Sequence, residues 1–227
     1  MNRHDLDEAL DRAWWHLSRT AEAGNAASAP EDVVSIADAL RRADPDEAAA
    51  TLSGWMSALA QRTDRMSVVA TGLSWLGGGT RSVEQTLVSL VAEATQEILV
   101  TAYSLTSGSG RVMERVTRAA SSGVRCVFVI NRLNEQRPEA RASLGALASR
   151  YPASVAVYDF EDAVAEGLHA KVLVVDRKAA VVGSANLTFH GMTASHELGL
   201  LVRGPTAASV ASAIDLLTGS PQVRRAF

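Results

Sequence analysis

The chain has 227 residues, 47% of them hydrophobic and 21% charged, with a formal net charge of −3. That suits one α/β domain with a small extra piece, and it argues against a general polyanion-coating protein while leaving room for a local basic groove. No run approaches the roughly 18 apolar residues of a membrane span, and the acidic opening Met1-Asn2-Arg3-His4-Asp5 lacks the apolar stretch of a secretory leader. A cytoplasmic location with no membrane partner is therefore expected. The one cysteine, Cys126, leaves no internal disulfide and reads as a buried strand residue within Val124–Ile130.

The first third reads as helical. Leu6, Ala9, Leu10, Ala13, Trp14 and Leu17 recur at helical spacing between residues 3 and 23, and a second stripe runs from Glu31 to Arg42. Asp44-Pro45-Asp46-Glu47 is a helix start, with a capping acid followed by Pro at the first helical position, and predicts a helix to about Gln61. Trp14, Trp15, Leu52, Trp55 and Leu59 form the expected core of this piece, an N-terminal helical subdomain over residues 1–65.

From residue 66 the pattern changes to strands alternating with helices. Strands are expected at 67–71, 97–103, 124–130, 154–158, 169–175, 179–183 and 196–203, and helices at 82–95, 111–122, 138–150 and 206–217. This predicts an α/β domain over residues 66–227, its sheet flanked by helices on both faces. The Gly77-Gly78-Gly79 stretch lacks the Gly-Lys-Ser/Thr ending of a phosphate-binding loop and reads as a loop beside a cleft.

The chemistry concentrates between Gly167 and Met192. His169 and Lys171 are two residues apart in an alternating run, so both side chains project from one face, about 6–7 Å apart along the strand. Lys171 is one of only two lysines in a chain that otherwise uses arginine, which points to a need for a compact ammonium. Ser184 and Asn186 fall just beyond the next strand, where a turn aims a hydroxyl and an amide into the same space. Imidazole supplies a nucleophile or acid/base, the ammonium a partner for a phosphate oxygen, and the two neutral groups further hydrogen bonds. No dense carboxylate cluster accompanies them, so no metal and no cofactor are expected, and the set suits attack on a phosphodiester. Asp176 falls out of register with His169 and Lys171 and is expected to hold the turn.

At these positions the sequence resembles the phospholipase D superfamily. His169-Ala-Lys171, Asp176 and Gly183-Ser184-Ala-Asn186 match its H-x-K-x4-D-x6-G-S-x-N signature without a gap. The stretch ending at Tyr103 and Ser104 is similar to the family's early core strand. Glu197, in Ser195–Val202, matches a carboxylate that orients the active-site histidine. The resemblance implies a phospholipase D-like mixed sheet and catalysis by His169, Lys171, Ser184, Asn186 and Glu197 through a phosphohistidine. Asp176 and Gly183 would be structural, and Tyr103, Ser104 and Arg132 substrate contacts. It also implies two copies of the motif per active site; this chain holds one, so a homodimer is expected to complete it. His190 and His196 lack the motif context and are expected in a rim or packing role.

The flank contains Arg111, Arg115, Arg118, Arg132, Arg137 and Arg141, which suits contacts to a DNA or RNA backbone. The layout of helices, strand, Gly-rich loop and core also resembles the phospholipase D-like members of DISARM phage-defence systems, which implies other defence-system proteins as partners. The expected function is a metal-independent nuclease in bacterial antiphage defence. The alternatives are a phospholipid phosphodiesterase or transferase, and a catalytically idle nucleic-acid-binding subunit of a defence complex.

Overall fold

The computed structural model describes residues 42, 44, 46, 49–54, 57, 63–72, 80–162 and 167–227. The helices expected before residue 42, the tryptophans of the helical piece and the Gly77–Gly79 loop lie outside these residues. The chain divides into two units, Met1–Arg62 and Thr63–Phe227. In the first, residues 46, 49–54 and 57 are helical, and the Asp46 N–H donates to Asp44 Oδ1 at 3.0 Å, the capping bond that the Asp-Pro-Asp-Glu stretch predicts.

Among the described residues the second unit is built on a nine-stranded mixed sheet. In chain order its strands are β1 (Arg65–Thr71), β2 (Arg81–Ser82), β3 (Glu97–Ala102), β4 (Arg125–Asn131), β5 (Val155–Phe160), β6 (Lys171–Val175), β7 (Ala179–Gly183), β8 (Glu197–Arg203) and β9 (Val223–Arg225). Their spatial order is β2-β1-β8-β7-β6-β3-β4-β5-β9. The central β3, β4 and β5 are parallel, which fits their near-continuous apolar sequences, since a parallel strand is covered on both faces. Strands β6, β7 and β8 run antiparallel to their neighbours. Helices α1 (Val83–Ala92), α2 (Gly110–Ser121), α3 (Pro138–Arg150) and α4 (Pro205–Thr218) cover the sheet.

Side-chain alternation separates two cores. Val69, Val100, Phe128, Ile130, Leu173 and Val181 pack under α1, α2 and α3. Leu99, Val127, Val129, Val174 and Ala180 pack against Ala207, Ala211 and Ile214 of α4 on the opposite face. Each such burial is worth about 1.5–3 kcal/mol. Cys126 is fully buried in the first core, and burial pushes its thiol up to about 12, leaving it a packing residue without nucleophilic character.

The expected elements recur with shifted ends. The sixth strand begins at Lys171 rather than His169, so His169 stands just ahead of the sheet instead of within it. Two short edge strands, β2 and β9, and a π-helical turn at His190–Ala194 have no counterpart in the sequence reading.

Candidate active site

Strand direction decides where the motif residues meet. Strands β1, β3, β4 and β7 end at one margin of the sheet, and β6 and β8 begin there. Thr71, Tyr103, Asn131, Ser184, His169, Lys171 and Glu197 therefore gather at that margin, at the carboxyl ends of the parallel strands where open α/β sheets place their ligands.

Lys171 is 8% exposed although it is a lysine. Its ammonium donates to the His169 carbonyl at 2.7 Å and lies 5.1 Å from the centre of the Tyr103 ring. Burial pulls its pKa below the ordinary lysine value, while the nearby Glu197 charge works the other way. An ammonium has three donors, and among the described residues the His169 carbonyl takes one of them. The His169 side chain is exposed, with its ring edge-on to Tyr103 at 4.6 Å between centroids. Tyr103 thus touches both motif residues and fixes the imidazole from the β3 side.

Across β7 and β8, Gly183 pairs with Gly199. A Cβ on Gly183 would lie 2.8 Å from the Gly199 Cα, so only glycine permits the close approach of these strands. That approach lets the Ser184 hydroxyl donate to Glu197 Oε2 while accepting the Leu198 N–H at 3.2 Å. The resemblance implies that Glu197 orients His169; here the carboxylate instead holds Ser184. The physical reason is position: His169 precedes β6 and leans toward β3, whereas Glu197 opens β8, two strand spacings from β6, about 9–10 Å. Asn186 Oδ1 and, facing Glu197 on β1, Thr71 Oγ1 are buried without a hydrogen-bond partner among the described residues. The amide oxygen can accept a bond, and the hydroxyl can donate or accept one.

Asp176 is at the other end of β6. With Arg177 it forms the centre of a tight turn, both at positive φ (51° and 55°), closed by the Lys178 N–H to the Val175 carbonyl at 3.0 Å. Its carboxylate accepts four bonds, from Thr95 N, Thr95 Oγ1, Gln96 N and Glu97 N, at 2.7–2.9 Å. Burial pushes its pKa up, but these donors outweigh that and hold it below the ordinary aspartate value. Beside it, Arg177 joins Glu97 and Asp215.

Two side chains that the sequence reading passes over serve the site. Asn131, at the end of β4, accepts the Leu168 N–H on Oδ1 at 2.8 Å, one residue before His169. Gly167, at φ 108°, lies so close that a Cβ there would be 2.5 Å from the same oxygen. Gln136 Nε2 donates to the Asn131 and Tyr103 carbonyls at 2.8 and 3.0 Å. A polar residue closing an apolar strand, and a glycine two residues before a histidine, are the only sequence signals of this brace. Asn131→Ala is expected to lower kcat about 10–100-fold by loosening the His169 segment, with Asn131→Asp, which keeps the acceptor, retaining most of it; steady-state kinetics on the three proteins checks this.

Of the other expected contacts, Arg132 is half-buried in a left-handed conformation, 3.7 Å from Glu135. Arg111 and Arg118 pair with Glu84 and Glu114, and Arg141 donates to the Asn134 carbonyl at 3.4 Å. Ser104 lines an open cleft with Arg137 and Phe189. The His196 ring packs over Gly72 and the His190 ring meets Phe189 edge-on. Among the described residues no group of three or more His, Cys, Asp or Glu side chains is arranged to hold a metal ion, and no helix is long and apolar enough to cross a membrane.

A family model described as "Cardiolipin synthase, PLD-like domain" matches residues 87–214, which include all of this site except Thr71. The chain belongs to the phospholipase D-like domain family. It is 30% identical over 146 residues to the DISARM protein DrmC of Bacillus paralicheniformis, a match covering 63% of this chain and 59% of that one. Among solved structures it is similar to Nuc of Salmonella typhimurium, described as a phospholipase D family member, with a TM-score of 0.57, 20% identity, and coverage of 72% of this chain and 98% of that one. It is also similar to NucT of Helicobacter pylori, with a TM-score of 0.55, 17% identity, and coverage of 68% and 95%. At these identities the structural likeness speaks for the phospholipase D-like fold alone.

Proposed function

We propose that this chain is a metal-independent phosphodiesterase of the phospholipase D-like family that cleaves nucleic acid. The observation that carries the reading is the buried Lys171 ammonium, which among the described residues donates to the His169 carbonyl alone, beside an exposed His169. A buried cation without a counter-anion in contact is costly; a phosphodiester anion would relieve that cost and bring phosphorus within reach of the imidazole. Asn186 and Thr71 offer further polar atoms at the same margin.

In the proposed reaction a His169 nitrogen attacks phosphorus, forming a P–N bond as the P–O bond to the leaving oxygen breaks. The leaving oxygen takes its proton from His169 of a second copy. Water then attacks phosphorus, gives a proton to that second histidine, and the P–N bond breaks, so one diester and one water yield a monoester and an alcohol. The one H-x-K motif in this chain supports a homodimer. The likeness to DrmC supports a role in bacterial antiphage defence beside other defence-system proteins.

The lipid alternative needs an apolar channel leading to the reactive pair. The apolar cavity behind Lys171, lined by Val69, Val100, Ala102, Leu187 and Leu198, has a volume of about 20 Å³, room for about one water and not for an acyl chain. The test is incubation of the purified protein with oligonucleotides and with cardiolipin vesicles in EDTA. Cleavage of oligonucleotide with an acid-labile phosphoenzyme is expected; turnover of vesicles alone, or cleavage only after a divalent metal is restored, overturns the proposal.

A further inference from the structure

An open cleft of about 530 Å³ lies between the loops that follow Tyr103 and Asn186, lined by Ser104, Thr106, Gly108, Arg137, Phe189 and His190, together with Thr188. That is within the size range of sites for nucleotide-sized ligands. Its two walls are the segment following β3, which starts at Tyr103, and the segment following β7, which starts at Ser184 and Asn186. Both therefore leave directly from the site, and a Leu105–Leu187 bridge and the Thr106 N–H to the Leu187 carbonyl at 2.9 Å join them.

Phe189 is the unusual member. The residue is 56% exposed, yet its backbone is pinned from three sides. The Phe189 N–H donates to Thr106 Oγ1 at 3.4 Å, and its carbonyl accepts the Thr193 hydroxyl at 2.7 Å. Gly108 sits so close that a Cβ there would be 2.3 Å from the Phe189 nitrogen. The His190 ring stands edge-on to it at 5.7 Å. An aromatic face held out to solvent by a fixed backbone is a stacking platform that needs little ordering on binding. Arg137 is exposed on the same cleft. Unlike Arg111, Arg118 and Arg132, it has no ion-pair partner among the described residues, which leaves its guanidinium free for a phosphate.

We propose that this cleft binds a nucleotide flanking the scissile phosphate, with an unpaired base stacked on Phe189 and a backbone phosphate on Arg137, which makes the substrate single-stranded nucleic acid. This rests on the nucleic-acid reading above and deepens it. A duplex keeps its bases sealed in the stack and offers no free face to Phe189. The remaining lining hydroxyls, Ser104, Thr106 and Thr188, suit sugar or phosphate oxygens.

The test uses the full chain carrying His169→Ala, so that binding is read without turnover. Anisotropy titrations use fluorescein-labelled single-stranded DNA, the same strand as RNA, its duplex, and a strand made abasic throughout. Phe189→Ala is expected to weaken single-strand binding about 5–50-fold, Phe189→Trp to preserve it, and neither to change binding of the abasic strand. Arg137→Ala is expected to weaken single-stranded and abasic strands alike and to flatten the salt dependence by about one unit of slope. Equal affinity of Phe189→Ala and its parent for the single strand overturns the proposal, as does equal loss on the abasic strand. A change in sedimentation mass on Phe189→Ala with unchanged strand affinity instead assigns the residue to contact between copies, and also overturns it. The nuclease reading fails separately: the wild-type chain would bind strands in this pattern and cut none.

Discussion

His169→Ala is expected to lower diester cleavage by at least ~10⁴-fold while leaving the fold almost untouched. The imidazole is exposed and its described side-chain contact is the Tyr103 ring, 4.6 Å away. Losing one exposed aromatic contact costs under about 1 kcal/mol, so the thermal midpoint should move little while the nucleophile disappears. A drop in activity matched by a drop in stability would mean that the residue supports the fold rather than the reaction. The same variant reads the second copy. If each active centre needs His169 from both chains, a co-refolded equal mixture of wild type and variant keeps about a quarter of wild-type activity, whereas independent centres keep about half. The two curves differ across the whole mixing range, so the measurement separates them without knowing the substrate of the cell.

Lys171 shows how much of this site could be read from the chain. The H-x-K spacing places two side chains on one face of an extended segment, and they do converge, but through a contact that spacing does not contain. The ammonium folds back onto the His169 carbonyl, and Tyr103, 66 residues upstream of the histidine, brackets both. Apolar runs such as Ile98–Ala102 and Cys126–Ile130 announce buried strands because period and composition are local properties. The edge strands Arg81–Ser82 and Val223–Arg225 do not, because two or three residues carry no period and owe their pairing to the neighbours they meet. The brace formed by Asn131 and Gln136 is illegible for the same reason: its partners come together only when β3, β4 and β6 are side by side. Glu197 marks the limit of a resemblance. The carboxylate is present at the matching place, yet its bond goes to Ser184, since the geometry between β7 and β8, and not the residue type, selects the partner.

Asp176→Asn is expected to separate the two halves of the motif. The carboxylate takes four hydrogen bonds from Thr95, Gln96 and Glu97 and lies at the far end of β6 from Lys171, about 16 Å along the strand. Asparagine tolerates the positive φ of this position, so the turn survives, but an amide group replaces one charged acceptor and faces donors with a donor. Bonds to a charged group are worth about 1.5–3 kcal/mol each, and a partial loss of the set should cost about 3 kcal/mol in urea denaturation at pH 7. The pH dependence carries a definite sign. The native carboxyl is held below its ordinary value, so its contribution is present above the unfolded aspartate pKa, near 4, and is lost as pH falls through the lower native value. The gap between wild type and Asp176→Asn should therefore be full at pH 7 and narrow progressively below about pH 4. Turnover per folded molecule should stay within about threefold of wild type, because among the described residues this carboxylate bonds to Thr95, Gln96 and Glu97 and to no residue at the His169 end of the sheet. A fall in kcat with an unchanged denaturation midpoint would place Asp176 in the chemistry and break the division of the motif into a reactive pair and a distant turn.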